Sequence, residues 1–380
     1  ILLEGHLIHS VGEHQQLLEQ GKALKAEIIT IKEPTIAMPG FIDAHTHICY
    51  SGSRASDYSL RNAGKTYLEI AKAGGGIWDT VTHTRNASEL ELIEGIVQRA
   101  TQHYQQGSTT LEVKSGYGLT VEEELKMLRA IDKANKELPI DLISTCLAAH
   151  MLPKDYAGTH EEYLNEIATE LLPKIKEKGL SNRIDAFIEQ GAFTKETITP
   201  YFEKANRLGF DITVHADQFS VGGTEIAVKH NAISADHLEA STDKEIDLLA
   251  KNNIIAVALP GATLGLGCDF APARKLLDAG ASLAIASDHN PGSAPMGDLL
   301  SEAAILGAFE KLTNAEVLAG ITVRAAAALG LKDRGMLSKG QLADVIAFET
   351  GDFREILYHQ GSMKPSKVWK AGNLIYSVSN

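Results

Sequence analysis

The chain has 380 residues, 44% of them hydrophobic and 22% charged, which is enough to bury a large unit and a small companion. Its 49 acidic against 36 basic side chains give a formal charge of -13. That balance excludes the clustered cations that nucleic acid or an anionic membrane surface requires, but not a small anionic substrate, because one local Arg can reverse the field in a pocket.

The opening ILLEGHLIHSVG has neither a basic nor a signal-like apolar stretch, and the chain begins at Ile1 rather than Met, which leaves open residues ahead of it. Residues 27–31 are the first β-like run. Eight strand candidates follow at 41–47, 109–114, 142–149, 185–189, 210–215, 234–237, 254–258 and 282–287. They are short runs of apolar and β-branched residues separated by segments of helical period, the pattern of a parallel α/β fold. The long connection from 48 to 88 is of the kind that serves as a lid or binding loop. Thr120 with Glu123, and Thr313 with Glu316, read as capping boxes that open helices running to 137 and 329. β-like runs return at 344–348, 367–369 and 373–376.

Eight strands with intervening helices predict a (β/α)8 TIM-type barrel over residues 38–339, with an open sheet as the alternative. Residues 1–37 and 340–380 are each too small to fold alone and are expected to pair into a small β-sandwich-like domain built from both termini. Cys49, Cys146 and Cys268 form no CxxC pair, so no disulfide framework is expected. No apolar run approaches the ~20 residues of a bilayer span. A soluble cytoplasmic protein is the expectation.

His45 and His47 sit two apart on a strand candidate, so their rings share one face. Alone, the pair reads equally well as two unrelated histidines. However, His215, His237 and Asp288 close three further strand candidates, and all of these ends converge on the mouth of a barrel. Three imidazoles and one carboxylate, His45, His47, His215 and Asp288, suit a borderline metal such as Zn, Fe, Mn or Ni. Such a metal would bring the pKa of a bound water toward roughly 7. Asp288 would accept that water's proton, and His237 would hydrogen-bond the substrate oxygen that becomes negative.

This His-x-His, His, His and Asp set resembles the amidohydrolase superfamily. Binuclear members carry a carboxylated Lys on the fourth strand; here that strand reads Asp185-Ala-Phe-Ile-Glu, and Lys178 and Lys195 lie outside it, which favours a single metal. Six further motifs are Ser51-Gly-Ser-Arg54, Gly74-Gly-Gly-Ile77, Lys114-Ser-Gly-Tyr-Gly-Leu119, Leu147-Ala-Ala-His150, Asp236-His-Leu-Glu239 and Asp288-His-Asn-Pro-Gly-Ser293. Together they resemble the imidazolonepropionase family over about residues 39–340. The resemblance implies hydrolytic ring opening of 4-imidazolone-5-propanoate to N-formimidoyl-L-glutamate in histidine degradation. It also implies one divalent or trivalent metal ion, zinc or iron, and a homodimer.

The same resemblance implies a pocket for a small anionic heterocyclic substrate lined by Arg54, Tyr117, His150, Gln218, Asn290, Gly292 and Ser293. Arg54 would grip a carboxylate bidentately. Tyr117 and His150 would bond the ring or the propionate. Glu112 and Lys114 read as structural strand-end residues. Deaminases of the superfamily place Glu where Gln218 stands, as do some imidazolonepropionases, and an amide cannot shuttle a proton. Asp288 is therefore expected to return its proton to the leaving nitrogen while Gln218 orients the ring. The alternatives are another mononuclear amidohydrolase, such as an aminopyrimidine or guanine deaminase, and an inactive barrel serving as a binding protein. Gln218 and Arg54 count against the first, and the intact ligand set counts against the second.

Overall fold

A computed structural model of the chain describes residues 1–65, 69–70, 74–189 and 191–378. Eight strands lie in one sheet in sequential order: Phe41–Asp43, Ser108–Lys114, Asp141–Ala149, Arg183–Ile188, Asp211–Ala216, Ser234–His237, Ile255–Ala258 and Leu283–Ile285. Every neighbouring pair is parallel. The ends of the sheet meet just past the first and last strands. There Thr46 bridges His289, the His47 N–H donates to the His289 carbonyl at 2.9 Å, and the Asp288 N–H donates to the His45 carbonyl at 3.0 Å. The result is a nearly closed (β/α)8 barrel. Leu283–Ile285 is buried at every position and Ile255–Ala258 at all but its first, which is why such strands read as continuous apolar runs and not as alternating ones.

The first strand candidate, 41–47, is shorter than expected: its ladder ends at Asp43, because the chain then leaves it to pair with the segment after the eighth strand. Thr120 accepts from the Glu123 N–H at 3.2 Å, but the reciprocal half of that box is missing because Glu123 turns to Lys126 at 2.5 Å. The box at Thr313 and Glu316 is complete. The helix expected to run to 329 is two, Asn314–Gly320 and Val323–Ala328. The break frees the Ile321 carbonyl to accept from the Ile42 N–H at 2.9 Å, tying the first strand to the outer layer. The connection from 48 to 88 contains the helices Ala55–Asn62 and Ile77–Asn86, while residues 66–68 and 71–73 lie outside the described ones.

Both termini contribute to the antiparallel sheets. Ile36–Pro39 pairs with Val345–Phe348, which continues to Lys367–Lys370 and Asn373–Ser377. The hairpin Leu2–Glu4 and Leu7–Ser10 runs beside 340–343 through bonds between Ile8 and both Gly340 and Gln341. The run at 27–31 is not a strand: Ile28 and Ile29 are exposed, and among the described residues no strand pairs with them. His14–Ala23 is a helix where β structure was expected, in keeping with its Gln, Leu, Glu, Lys and Ala content. The Phe41 and Phe348 rings meet at a tilt with centroids 6.1 Å apart, and Lys370 pairs with both Asp141 and Asp344, which fastens the small sheet to the base of the barrel. None of the described helices is long and apolar enough to cross a membrane.

Candidate active site

Five side chains from four strand ends converge at the C-terminal mouth of the barrel. The Nε2 atoms of His45 and His47 lie 3.2 Å apart, and those of His47 and His215 lie 3.3 Å apart. Asp288 Oδ1 is 3.6 Å from His45 Nε2 and 3.4 Å from His47 Nε2. His237 packs against this group, with ring centroids 5.2 Å from His215 and 5.8 Å from His45. Among the described residues, the groups able to hold a metal ion are His45, His215 and His237, and His45, His47 and Asp288. The geometry thus admits His237 as a ligand as well as a hydrogen-bond donor. Backbone strain gathers at the same place: His237, Leu238 and Asp288 have φ of 86°, 75° and 55°, a region costly for side-chain-bearing residues and concentrated at functional sites.

The donor chemistry fits a cation. His45 Nδ1 lies 2.6 Å from Asp236 Oδ2, and His215 Nδ1 lies 2.9 Å from Asp185 Oδ2. With those protons on Nδ1, the Nε2 lone pairs of both rings face His47 Nε2 at little over 3 Å; a single His47 proton would have to be shared between them, whereas a cation among the three nitrogens would satisfy all of them. Burial pushes His45 and His47 well below the ordinary histidine pKa and His215 down to about 3, so all three rings are neutral at physiological pH. Burial also raises Asp288. For His237 burial works against the charged ring, but Glu239 and Asp288 outweigh it and the pKa is raised.

The other expected residues surround this cluster unevenly. Tyr117 and His150 are buried beside it, the Tyr117 ring 6.0 Å from His47 and the His150 ring stacked on His47 at 5.8 Å. His150 Nδ1 is 2.9 Å from the Gly116 carbonyl, which leaves Nε2 as its free edge. The loop carrying Tyr117 is shaped by Glu124, whose carboxylate accepts from the N–H groups of Gly116, Gly118 and Leu119. Arg54 donates from Nε to Asp57 at 2.8 Å, and its guanidinium lies so close to Gly292 that a Cβ there would sit 2.4 Å from it. Asn290 is spent within its own loop: Nδ2 donates to the Asp288 carbonyl and Ser293 Oγ, and Oδ1 accepts from Gly292 and Ser293 N–H. Gln218 is half-buried in a loop anchored by Asp217 and Glu189, and among the described residues it makes no hydrogen bond to the cluster.

Several buried charged groups in the barrel strands were not read from the sequence as site residues, among them Glu112, Lys114, Asp185 and Asp236. The signal was present, since a charged residue inside an otherwise apolar strand must have a partner.

Residues 36–375 match the family model described as Amidohydrolase family. Among solved structures, atrazine chlorohydrolase from Arthrobacter aurescens complexed with zinc has a TM-score of 0.72 at 17% identity, covering 99% of this chain and 90% of that one. A 5-methylcytosine deaminase from Klebsiella pneumoniae has a TM-score of 0.75 at 14% identity, covering 100% and 95%; both show a shared fold. The chain belongs to the amidohydrolase family. The protein named imidazolonepropionase in Acinetobacter baumannii (strain AB307-0294) is 40% identical over 375 residues, 98% of this chain and 92% of that protein. Its namesake in Bacillus cytotoxicus is 40% identical over 362 residues, 94% and 85% respectively. Within the family, this chain therefore belongs with the imidazolonepropionases.

Proposed function

We infer that the chain hydrolyses 4-imidazolone-5-propanoate to N-formimidoyl-L-glutamate in histidine degradation. The observation that carries this reading is 40% identity to imidazolonepropionases over 98% of the chain. The site geometry supports it with a cluster of neutral imidazoles and one carboxylate beside a half-buried Arg.

In this reading His45, His47, His215 and Asp288 hold one metal ion, zinc or iron, which when bound supplies Lewis acidity and a nucleophilic water near neutral pH. Asp288 takes the proton from the attacking water and returns it to the ring nitrogen as the C–N bond breaks. His237, with its raised pKa, donates to the carbonyl oxygen as negative charge develops there. Arg54 meets the propionate through the terminal nitrogens left free by its Nε bond to Asp57. Tyr117 stays protonated, since burial raises its pKa, and donates to the substrate together with His150. Asn290 shapes the loop that presents Gly292 and Ser293, and Gln218 orients the ring.

Residues 38–339 carry the catalytic barrel, and 1–37 with 340–380 form the companion domain, as the pairing of Ile36–Pro39 with Val345–Phe348 supports. A cytoplasmic homodimer belongs to the same reading and rests on the family resemblance.

The test is the ultraviolet absorbance of freshly generated 4-imidazolone-5-propanoate with metal-quantified protein. Metal-dependent loss of the ring chromophore with formimidoylglutamate appearing is the expected result. No turnover by metal-replete protein, or ammonia as the product, overturns the assignment.

A further inference from the structure

Lys114 ends the second barrel strand with no exposed surface. A buried ammonium is tolerated only where carboxylates pair with it, and here there are two. Its Nζ lies 2.7 Å from Glu112 Oε1 and 2.8 Å from Asp185 Oδ2. Each partner reaches onward to the histidine cluster. Asp185 Oδ2 lies 2.9 Å from His215 Nδ1, while its Oδ1 accepts from the backbone N–H groups of His215 at 3.2 Å and Ala186 at 2.7 Å. Glu112 Oε2 accepts from the Thr46 N–H at 3.3 Å, and Thr46 Oγ1 donates to the Glu112 carbonyl at 2.6 Å. Thr46 is the residue between His45 and His47.

One buried cation therefore joins the support of His215 on the fifth strand to the support of the His45–His47 pair beyond the first. We propose that Lys114 is a positioning residue for the metal centre, presetting the three imidazoles from both sides through Asp185 and Glu112. The inference rests on the reading of those histidines as ligands. Without the ammonium, two buried carboxylates face each other unpaired and must move apart. His215 moves with one and the Thr46 backbone with the other. Ligand orientation by such outer partners is the usual way a site is tuned, and losing one costs about 10–100-fold in metal affinity.

The experiment compares chelator-stripped wild type, Lys114→Met and Glu112→Gln by zinc competition against a chromophoric chelator. The visible spectra of the cobalt-loaded proteins are compared alongside. Lys114→Met should bind zinc about 10–100-fold more weakly and show an altered cobalt spectrum while keeping its far-ultraviolet circular dichroism. A lower melting temperature with unchanged zinc affinity and cobalt spectrum would mean a structural role only and overturn the proposal. Should Lys114→Met fail to fold, Glu112→Gln decides. It keeps the Lys114–Asp185 pair and should show a smaller loss of affinity in the same direction, and wild-type affinity would overturn the idea. Wild-type protein that binds neither zinc nor cobalt sinks the ligand assignment and this inference together; wild type that binds beside an unaltered Lys114→Met sinks this inference alone.

Discussion

His45 Nδ1 and the Asp236 carboxylate lie 2.6 Å apart across 191 residues of sequence. That contact decides which nitrogen of His45 turns toward His47, since a proton held on the Asp236 side leaves Nε2 facing the cluster. Asp236→Ala should lower metal affinity about 10–100-fold, whereas Asp236→Asn, which can still accept from Nδ1–H, should lose less. Metal analysis after dialysis against graded chelator measures both. Equal retention by Asp236→Ala and wild type would show that neighbouring packing alone holds the ring.

His237 separates two roles that the geometry allows. As an oxyanion donor its removal should cut kcat by about 10²–10³-fold and leave the metal in place. His237→Asn is the cleaner variant, because the backbone there has φ of 86° and Asn tolerates that region better than Ala. Turnover and metal content are measured on the same sample. Metal lost in step with activity would make His237 a ligand.

Glu124 holds the turn that carries Tyr117, so its loss should register in both stability and substrate binding. Its carboxylate accepts from three backbone N–H groups of the turn around Tyr117, at 3.1, 2.8 and 2.7 Å. Glu124→Ala would leave three buried donors unsatisfied and should cost roughly 3 kcal/mol or more of stability. Tyr117 should shift with the turn, raising KM more than it lowers kcat. Urea unfolding and steady-state kinetics test the pair of effects. A destabilised variant with unchanged KM would remove Tyr117 from the substrate pocket.

The strands were legible because both faces of a barrel strand are buried, so runs such as 142–149 and 254–258 stand out as largely apolar without alternation. His45, His47, His215, His237 and Asp288 were legible because ligand-type side chains recur at the ends of those runs. The partners of these residues were not. Asp236 meets His45 and Lys114 meets Asp185 through strand register and barrel closure, which connect positions that no local pattern links. The break at Ile321 was hidden for the same reason, since only its partner Ile42 explains it. The family resemblance implies Asn290 as a pocket residue; that its carboxamide is held by bonds two and three residues away is a loop geometry that side-chain type alone does not disclose.

His103 and His289 set an acid limit on stability. His103 Nε2 lies 2.8 Å from His289 Nδ1, and both residues are buried. Burial lowers His103 to about 4 and His289 to about 2, against an ordinary value of 6.5. Above pH 6.5 both rings are neutral in the folded and unfolded chain, so neither costs anything. As pH falls through 6.5 the unfolded chain takes up protons that the folded one refuses, and stability is lost progressively down to about pH 4 for His103. At pH 5 that single group should cost about 2 kcal/mol, from 1.36 kcal/mol per pH unit. His103→Gln removes the titration along with the bond to His289, so it should start less stable at pH 7.5 and then lose less on acidification. Urea unfolding at pH 7.5, 6 and 5 gives the two slopes, and parallel slopes for the variant and wild type would show that His103 accepts its proton without unfolding.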